Sequence, residues 1–126
     1  MAKPFKLIEA EVPDPESIHP TTAEEYIRRA WLYYGKHNYE KSIDDFYEAL
    51  GSDPENVDTV FGLGLALKAD GNKDKSVVLF EKTLTLIDKM EDRVRARMLK
   101  RLTIGHINQI KTGNWNLEKE LWQTKN

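Results

Sequence analysis

The side chains best suited to acid–base or metal chemistry are three histidines, His19, His37 and His106. They lie in three separate stretches, and no two have the i, i+4 spacing that places metal ligands on one helical face. Thiolate chemistry is excluded because the chain has no cysteine, and neither Ser42 nor Ser76 has the sequence signature of an activating base. We therefore predict no catalytic site, no metal and no other cofactor, and expect a non-enzymatic protein.

Acidic residues and glycines form two further patterns. Asp44, Asp45 and Glu48 resemble a carboxylate cluster, but they fall on the polar side of an amphipathic helix, so we expect them in solvent. The stretch 62–64, GLG, lies within a helical pattern and no Lys-Ser or Lys-Thr pair follows it. Phosphate binding is therefore not predicted. Ser42 and Ser76, which lack an activating base, are expected only to fill space.

A basic run between Arg93 and Arg101 points to another class of partner. Five positive side chains fall within it: Arg93, Arg95, Arg97, Lys100 and Arg101. Such a run could contact nucleic-acid phosphates or another acidic surface, and we keep this as an alternative function. The net charge of −2 and the lack of aromatic residues within the run argue against nucleic acid.

Composition and length favour one soluble domain. The chain has 126 residues, of which 40% are hydrophobic and 32% charged. No apolar run approaches the roughly 20 residues of a membrane span, and residues 1–20 lack a signal-peptide core. We therefore expect no membrane partner and a cytoplasmic location.

Prolines separate an N-terminal arm from a helical domain. Pro4, Pro13, Pro15 and Pro20 predict an extended arm over residues 1–20, with Asp14, Glu16 and Ser17 in solvent. Helical periodicity begins near Thr22, where Glu25 completes a capping box, and the domain spans 21–126. We predict helices at about 22–35, 39–50, 54–70, 73–90, 92–111 and 116–123, with Gly51 as a left-handed cap and Pro54 in the first turn of the third helix.

A repeat organises this domain. The stretch 38–50, NYEKSIDDFYEAL, returns at 72–84 as NKDKSVVLFEKTL. A fixed period of about 34 residues is typical of helical hairpins that bury their apolar faces by stacking on one another. We accordingly divide the domain into a first repeat at about 23–56, a second at about 57–90, and a divergent third helical pair at about 91–124.

The repeated residues resemble the tetratricopeptide repeat (TPR) family. Where that family has small residues at the meeting of its paired helices, this chain has Ala30, Ser42, Gly64 and Ser76, and Pro54 occupies the proline position. Departures are Arg29 and Lys73 at large apolar positions and Asp88 at a proline position. The resemblance implies an all-α fold of antiparallel hairpins stacked as a short right-handed superhelix.

The resemblance also implies a concave groove that binds a protein partner. The matching groove residues are Ile27, Trp31, Tyr34, Phe61, Leu65 and Lys68. Because most are apolar, we expect an apolar peptide or amphipathic helix as ligand, held by a scaffold protein. In the alternative, the groove is covered by the chain's own arm through Phe5, Leu7 and Ile8, or by a second copy in a homodimer or self-associating structural module.

Overall fold

The computed structural model describes residues 12–117, which form an all-helical solenoid. A short 3₁₀ helix at Pro15–Ser17 precedes five α-helices: α1 Ala23–Gly35, α2 Tyr39–Ser52, α3 Val57–Ala69, α4 Lys73–Ile87 and α5 Arg93–Thr112. Each helix packs mainly on the helices before and after it, and this part of the chain contains no strand. The all-α helical-repeat class predicted from the sequence is confirmed. None of these helices combines the length and hydrophobicity needed to cross a bilayer.

The helices begin at polar side chains that accept hydrogen bonds from free backbone amides. Asn38 and Asn72 cap α2 and α4 in the same way, and Asn56 and Asp92 cap α3 and α5. The predicted capping box of α1 is present, since Thr22 and Glu25 satisfy each other's backbone amides.

Three predicted helix ends were wrong. Helix α4 was expected to reach about residue 90 but ends at Ile87. Helix α3 begins at Val57 because Asn56 caps it, so Pro54 lies in the preceding turn. Gly51 lies within α2 and is not a left-handed cap. Positive φ occurs instead at His37 (62°) and Gly71 (88°), which occupy equivalent turns of the two repeats.

The sequence repeat is also a repeat of contacts. The Ser42 hydroxyl donates to the Ala30 carbonyl at 2.7 Å, and the Ser76 hydroxyl donates to the Gly64 carbonyl at 2.7 Å. Both serines are fully buried. The serines therefore do more than fill space, because each ties the second helix of its hairpin to the first.

Two buried phenylalanine rings fill the space between neighbouring helices. A Cβ at Gly62 would lie 2.8 Å from the Phe46 ring, and one at Gly64 would lie 2.7 Å from the Phe80 ring. Both rings are fully buried. The close approach predicted at Gly64 is confirmed, and Gly62 serves the same purpose in the contact between the two repeats.

The segment before α1 packs on the first hairpin. Pro15 is buried, and the Glu16 carboxylate accepts hydrogen bonds from the Tyr33 hydroxyl at 2.9 Å and from Lys41 Nζ at 2.8 Å. Glu16 remains exposed as predicted, but these two partners hold its carboxylate in place. Phe5, Leu7 and Ile8 lie outside the described residues, as does most of the helix predicted at 116–123.

Sequence reasoning placed Asp45 wrongly in solvent. Asp45 is only 3% exposed and forms a bidentate ion pair with Arg29, with both N–O distances at 2.8 Å. Arg29 also donates to the Ile18 carbonyl at 3.0 Å, and the Asp45 bond raises the pKa of its guanidinium. Asp44 and Glu48 are exposed as expected. The charge of Arg29, which stands where the TPR pattern has a large apolar residue, is thus matched within the hairpin.

Candidate functional site

Helices α1, α3 and α5 lie side by side. The Trp31 ring of α1 reaches to within 3.0 Å of the position that a Cβ would take at Gly62 of α3. Helix α5 contacts α3 near both ends, through Arg95 with Asp58 and through His106 with Lys68, so the two helices run in the same direction. We call the surface shared by these helices the α1–α3–α5 face, and it carries the predicted groove residues.

The α1 part of this face is aromatic and partly open. The Trp31 ring contacts Tyr34 and Phe46 edge-on, with centroids 5.6 Å and 5.1 Å away. Ile27 and Tyr34 are half-buried against the core, and burial raises the pKa of the Tyr34 hydroxyl. Trp31 itself remains 39% exposed, so a large apolar side chain in a fixed position is accessible there.

The α3 part is more enclosed, because α5 covers it. Phe61 packs on the core cluster that includes Leu99, and its ring centroid is 5.9 Å from that of His106. Lys68 Nζ lies 2.8 Å from His106 Nδ1 and donates to the Gln109 side chain. Leu65, between these two positions on α3, is half-buried. The structure thus places all six predicted residues on two neighbouring helices, with Phe61 and Lys68 held by internal contacts.

The Lys68–His106 contact defines the state of the imidazole. An ammonium group can only donate, so Nδ1 of His106 accepts and the ring proton is on Nε2. Burial, together with the positive charge of Lys68, lowers the pKa of His106 to about 4. Burial likewise lowers the pKa of Lys68. His106 is therefore neutral at physiological pH and serves as a packed acceptor.

His106 is the centre of an aromatic cluster at the α5 side of the face. Its ring stacks on Phe80 at 5.3 Å with an interplanar angle of 11°, and Trp115 meets it edge-on at 4.8 Å. Trp115 fits there because Gly105 has no side chain, since a Cβ at that position would overlap the indole. The cluster closes this side of the face with rigid aromatic surface.

Sequence reasoning missed His106 and Trp115, although a signal was present. The Gly-Asn turn at Gly71 recurs at Gly113, later in the chain than the repeat period would place it. If the two Gly-Asn turns are aligned, His106 takes the position equivalent to Gly64, which faces the core. The strict repeat period does not align these two residues. The additional residues before the turn thus hid the inward orientation of His106.

The basic run on α5 is only partly free. Arg93 donates to the Met90 carbonyl at 2.9 Å, and Arg95 pairs with Asp58. Arg97, Lys100 and Arg101 are exposed. Within residues 12–117, no group of three or more histidine and carboxylate side chains converges on a point where a metal could bind.

Comparison with known proteins gives one distant similarity. The chain is 24% identical over 63 residues to a TPR repeat-containing protein of Methanocaldococcus jannaschii. The aligned part is 50% of this chain and only 11% of that protein, so the chain matches a small piece of its relative. No family model matches the chain, and no solved structure does. The five-helix architecture is compatible with TPR-like repeats.

Proposed function

We propose that this protein is a TPR-like, non-enzymatic scaffold that binds an apolar peptide or amphipathic helix on its α1–α3–α5 face. The observation that carries the proposal is Trp31, which is 39% exposed although Tyr34 and Phe46 fix its position. Exposed, rigidly held aromatic rings are frequent binding hot spots because little conformational entropy is lost when a ligand covers them. The distant TPR-named relative supports the same class of function.

The six residues have different proposed roles. Trp31 is the main anchor, and Ile27 and Tyr34 extend its apolar surface toward the core. Leu65 offers a second apolar contact on α3, while Phe61 and Lys68 form a rigid wall through their contacts with α5. A ligand with apolar side chains on one helical face would complement this arrangement.

The domain limits belong to the same proposal. We propose an arm at 1–20 and a TPR-like domain at 21–126, with repeats at about 23–56 and 57–90 and a third pair at about 91–124. The arm, through residues 1–11, and a second copy of the chain remain competing occupants of the face. A cytoplasmic location remains a prediction.

Peptide selection tests the proposal. Phage-displayed peptides selected on the immobilised chain should be enriched in apolar residues at i, i+3 and i+4 spacing. Trp31→Ala should weaken binding of the selected peptides about tenfold or more in a fluorescence titration, because the anchor surface is lost. Tyr47→Ala is the matched control, since Tyr47 is a similarly exposed aromatic residue, at 47%, on α2.

Two results would contradict the proposal. One is equal loss of affinity in both variants, and the other is full affinity in Trp31→Ala. Deletion of residues 1–11 separates the competing occupants, because affinity should rise if the arm covers the face. Light scattering across a concentration series would detect a dimer in which a second copy covers the face.

The alternative function has weaker support. Two of the five basic side chains predicted to contact nucleic acid, Arg93 and Arg95, bind groups within the protein. Three remain available, and reversing Arg97 and Lys100 to glutamate would abolish binding to duplex or single-stranded oligonucleotides if these side chains bound phosphate. Peptide binding near Trp31 should be unaffected by the same change.

A further inference from the structure

Helix α5 carries exposed apolar side chains beside the α1–α3–α5 face. Met98 and Leu102 are 63% and 46% exposed. Leu102 lies seven residues after Arg95 and four before His106, and both of these residues contact α3. Residues at these spacings share one side of a helix, and Met98 lies one turn before Leu102 on that side. The apolar surface that begins at Trp31 therefore continues across α3 onto α5.

The width of this surface fits a ligand of defined length. Helices that pack side by side lie about 8–10 Å apart, so α1 and α5 are about 16–20 Å apart across α3. At a rise of about 1.5 Å per residue, an α-helix of about 11–14 residues covers that distance. Trp31 would meet one end of such a ligand, and Met98 with Leu102 would meet the other end.

Exposed arginines border the apolar surface at both edges. Arg28 lies three residues before Trp31 on α1, and Arg101 lies three residues after Met98 on α5. Neither arginine has a carboxylate within salt-bridge distance among residues 12–117. Both edges therefore attract negative charge.

Nearby acidic side chains offset little of this positive charge. Asp58, between α3 and α5, is already paired with Arg95. Glu24 is exposed one turn before Arg28, so it offsets charge at the α1 edge alone. The complementary ligand is thus apolar along its centre and acidic along its sides.

We propose that the partner is an acidic amphipathic helix of about three to four turns that lies across α1, α3 and α5. Its apolar side covers Trp31, Met98 and Leu102, and carboxylates beside that apolar side pair with Arg28 and Arg101. This inference rests on the proposed peptide-binding function. It adds the charge of the partner, its length and a second anchor on α5.

Two synthetic peptides test the charge of the partner. Both are helical peptides of about 14 residues with leucines at i, i+3, i+7 and i+10. Glutamates flank the leucines in one peptide, and lysines flank them in the other. In a fluorescence titration at low ionic strength, the glutamate peptide should bind about tenfold more tightly, and added salt should reduce this difference.

Charge reversal at the two edges should remove this preference. Arg28→Glu with Arg101→Glu should weaken binding of the glutamate peptide about fivefold and strengthen binding of the lysine peptide. Arg97→Glu with Lys100→Glu is the matched control, because it changes the net charge equally on α5. These two side chains are exposed, but at i+1 and i+2 spacing they do not face Met98 or Leu102. Equal effects of the two double variants would overturn the inference.

Alanine substitution tests the second anchor. Met98→Ala with Leu102→Ala should weaken binding of the glutamate peptide about tenfold, because its contact on α5 is lost. Val78→Ala with Tyr47→Ala is the matched control, since these side chains are 61% and 47% exposed on α4 and α2. Circular dichroism should show an unchanged helical content in both. Full affinity in the α5 variant would overturn the inference.

Failure of this inference can be distinguished from failure of peptide binding itself. If selected peptides bind through Trp31 but the glutamate and lysine peptides bind equally or not at all, the inference is overturned and the proposed function stands. If Met98→Ala with Leu102→Ala abolishes a dimer seen by light scattering, a second copy occupies this part of α5 and the inference is also overturned.

Discussion

Asp45 illustrates how much one partner changes the cost of a buried charge. Its side chain is 5% exposed and would be strongly disfavoured as an isolated carboxylate. Arg29 offsets this cost with two parallel hydrogen bonds, both at 2.8 Å. The pair therefore matters most when it is broken on one side only.

We predict that Arg29→Met lowers the free energy of unfolding by about 3 kcal/mol, because it leaves the Asp45 carboxylate buried without its partner. The double variant Arg29→Met/Asp45→Leu should recover most of this loss. Urea unfolding at neutral pH measures both. If the double variant is as unstable as the single one, the unpaired carboxylate is not the cause.

His106 links stability to pH in a defined direction. Its pKa is about 4 in the folded chain against an ordinary value of 6.5, so the unfolded chain takes up the proton first as the pH falls. The stabilisation is complete above pH 6.5 and is lost progressively toward pH 4. Protonation would also place a second positive charge beside Lys68.

We predict that the free energy of unfolding falls by about 1 kcal/mol between pH 7 and pH 5, because solvent near the half-buried ring weakens the full effect of the pKa difference. His106→Phe should remove most of this dependence, because the phenyl ring can stack on Phe80 but cannot bind a proton. His19→Gln is the control, since His19 is exposed and outside the helices. A dependence that persists unchanged in His106→Phe would exclude His106 as its source.

At the scale of the helices, Gly64 and Gly51 differ in what surrounds them. Gly64 makes room for the fully buried Phe80 ring, whereas a Cβ at Gly51 would have no neighbour within 4 Å. Both glycines lie inside helices, where alanine is intrinsically preferred.

We predict that Gly64→Ala destabilises the protein by about 2 kcal/mol, because the Phe80 ring must shift. Gly51→Ala should instead stabilise it by a few tenths to about 1 kcal/mol. Thermal or urea unfolding of the two variants side by side measures the difference. If both substitutions raised the free energy of unfolding, helix propensity would outweigh packing in α3.

Helix identity could be predicted from the sequence, and some helix ends could not. The spacing of Ile43, Phe46 and Leu50 is helical whatever surrounds it, so α2 followed from local pattern. The start of α3 was expected at Pro54, but the helix begins after Asn56, whose side chain accepts the Thr59 amide at 3.1 Å. The buried position of Asp45 required knowledge of where Arg29 would lie, which no local pattern contains.

At the scale of the whole molecule, the repeat period predicted the solenoid. Sequence reasoning described the chain least well after α4, where this period no longer holds. The first two hairpins repeat the same serine–carbonyl bonds and the same buried phenylalanines. After α4 the period lengthens, and the contacts of Lys68 and Phe61 with α5 could not be predicted from the repeat. The sequence therefore predicted the six groove residues but not that α5 covers two of them, Phe61 and Lys68.

The arrangement of helices in a row, each held mainly by its neighbours in sequence, has a mechanical consequence. Within residues 12–117 the main packing is between helices adjacent in sequence, and α3 and α5 are joined in addition by the Asp58–Arg95 and Lys68–His106 contacts, so tension applied to the two ends would not meet a single central core. The molecule would lengthen in steps, one hairpin separating from the next at low force, and would shorten again along the same route when released.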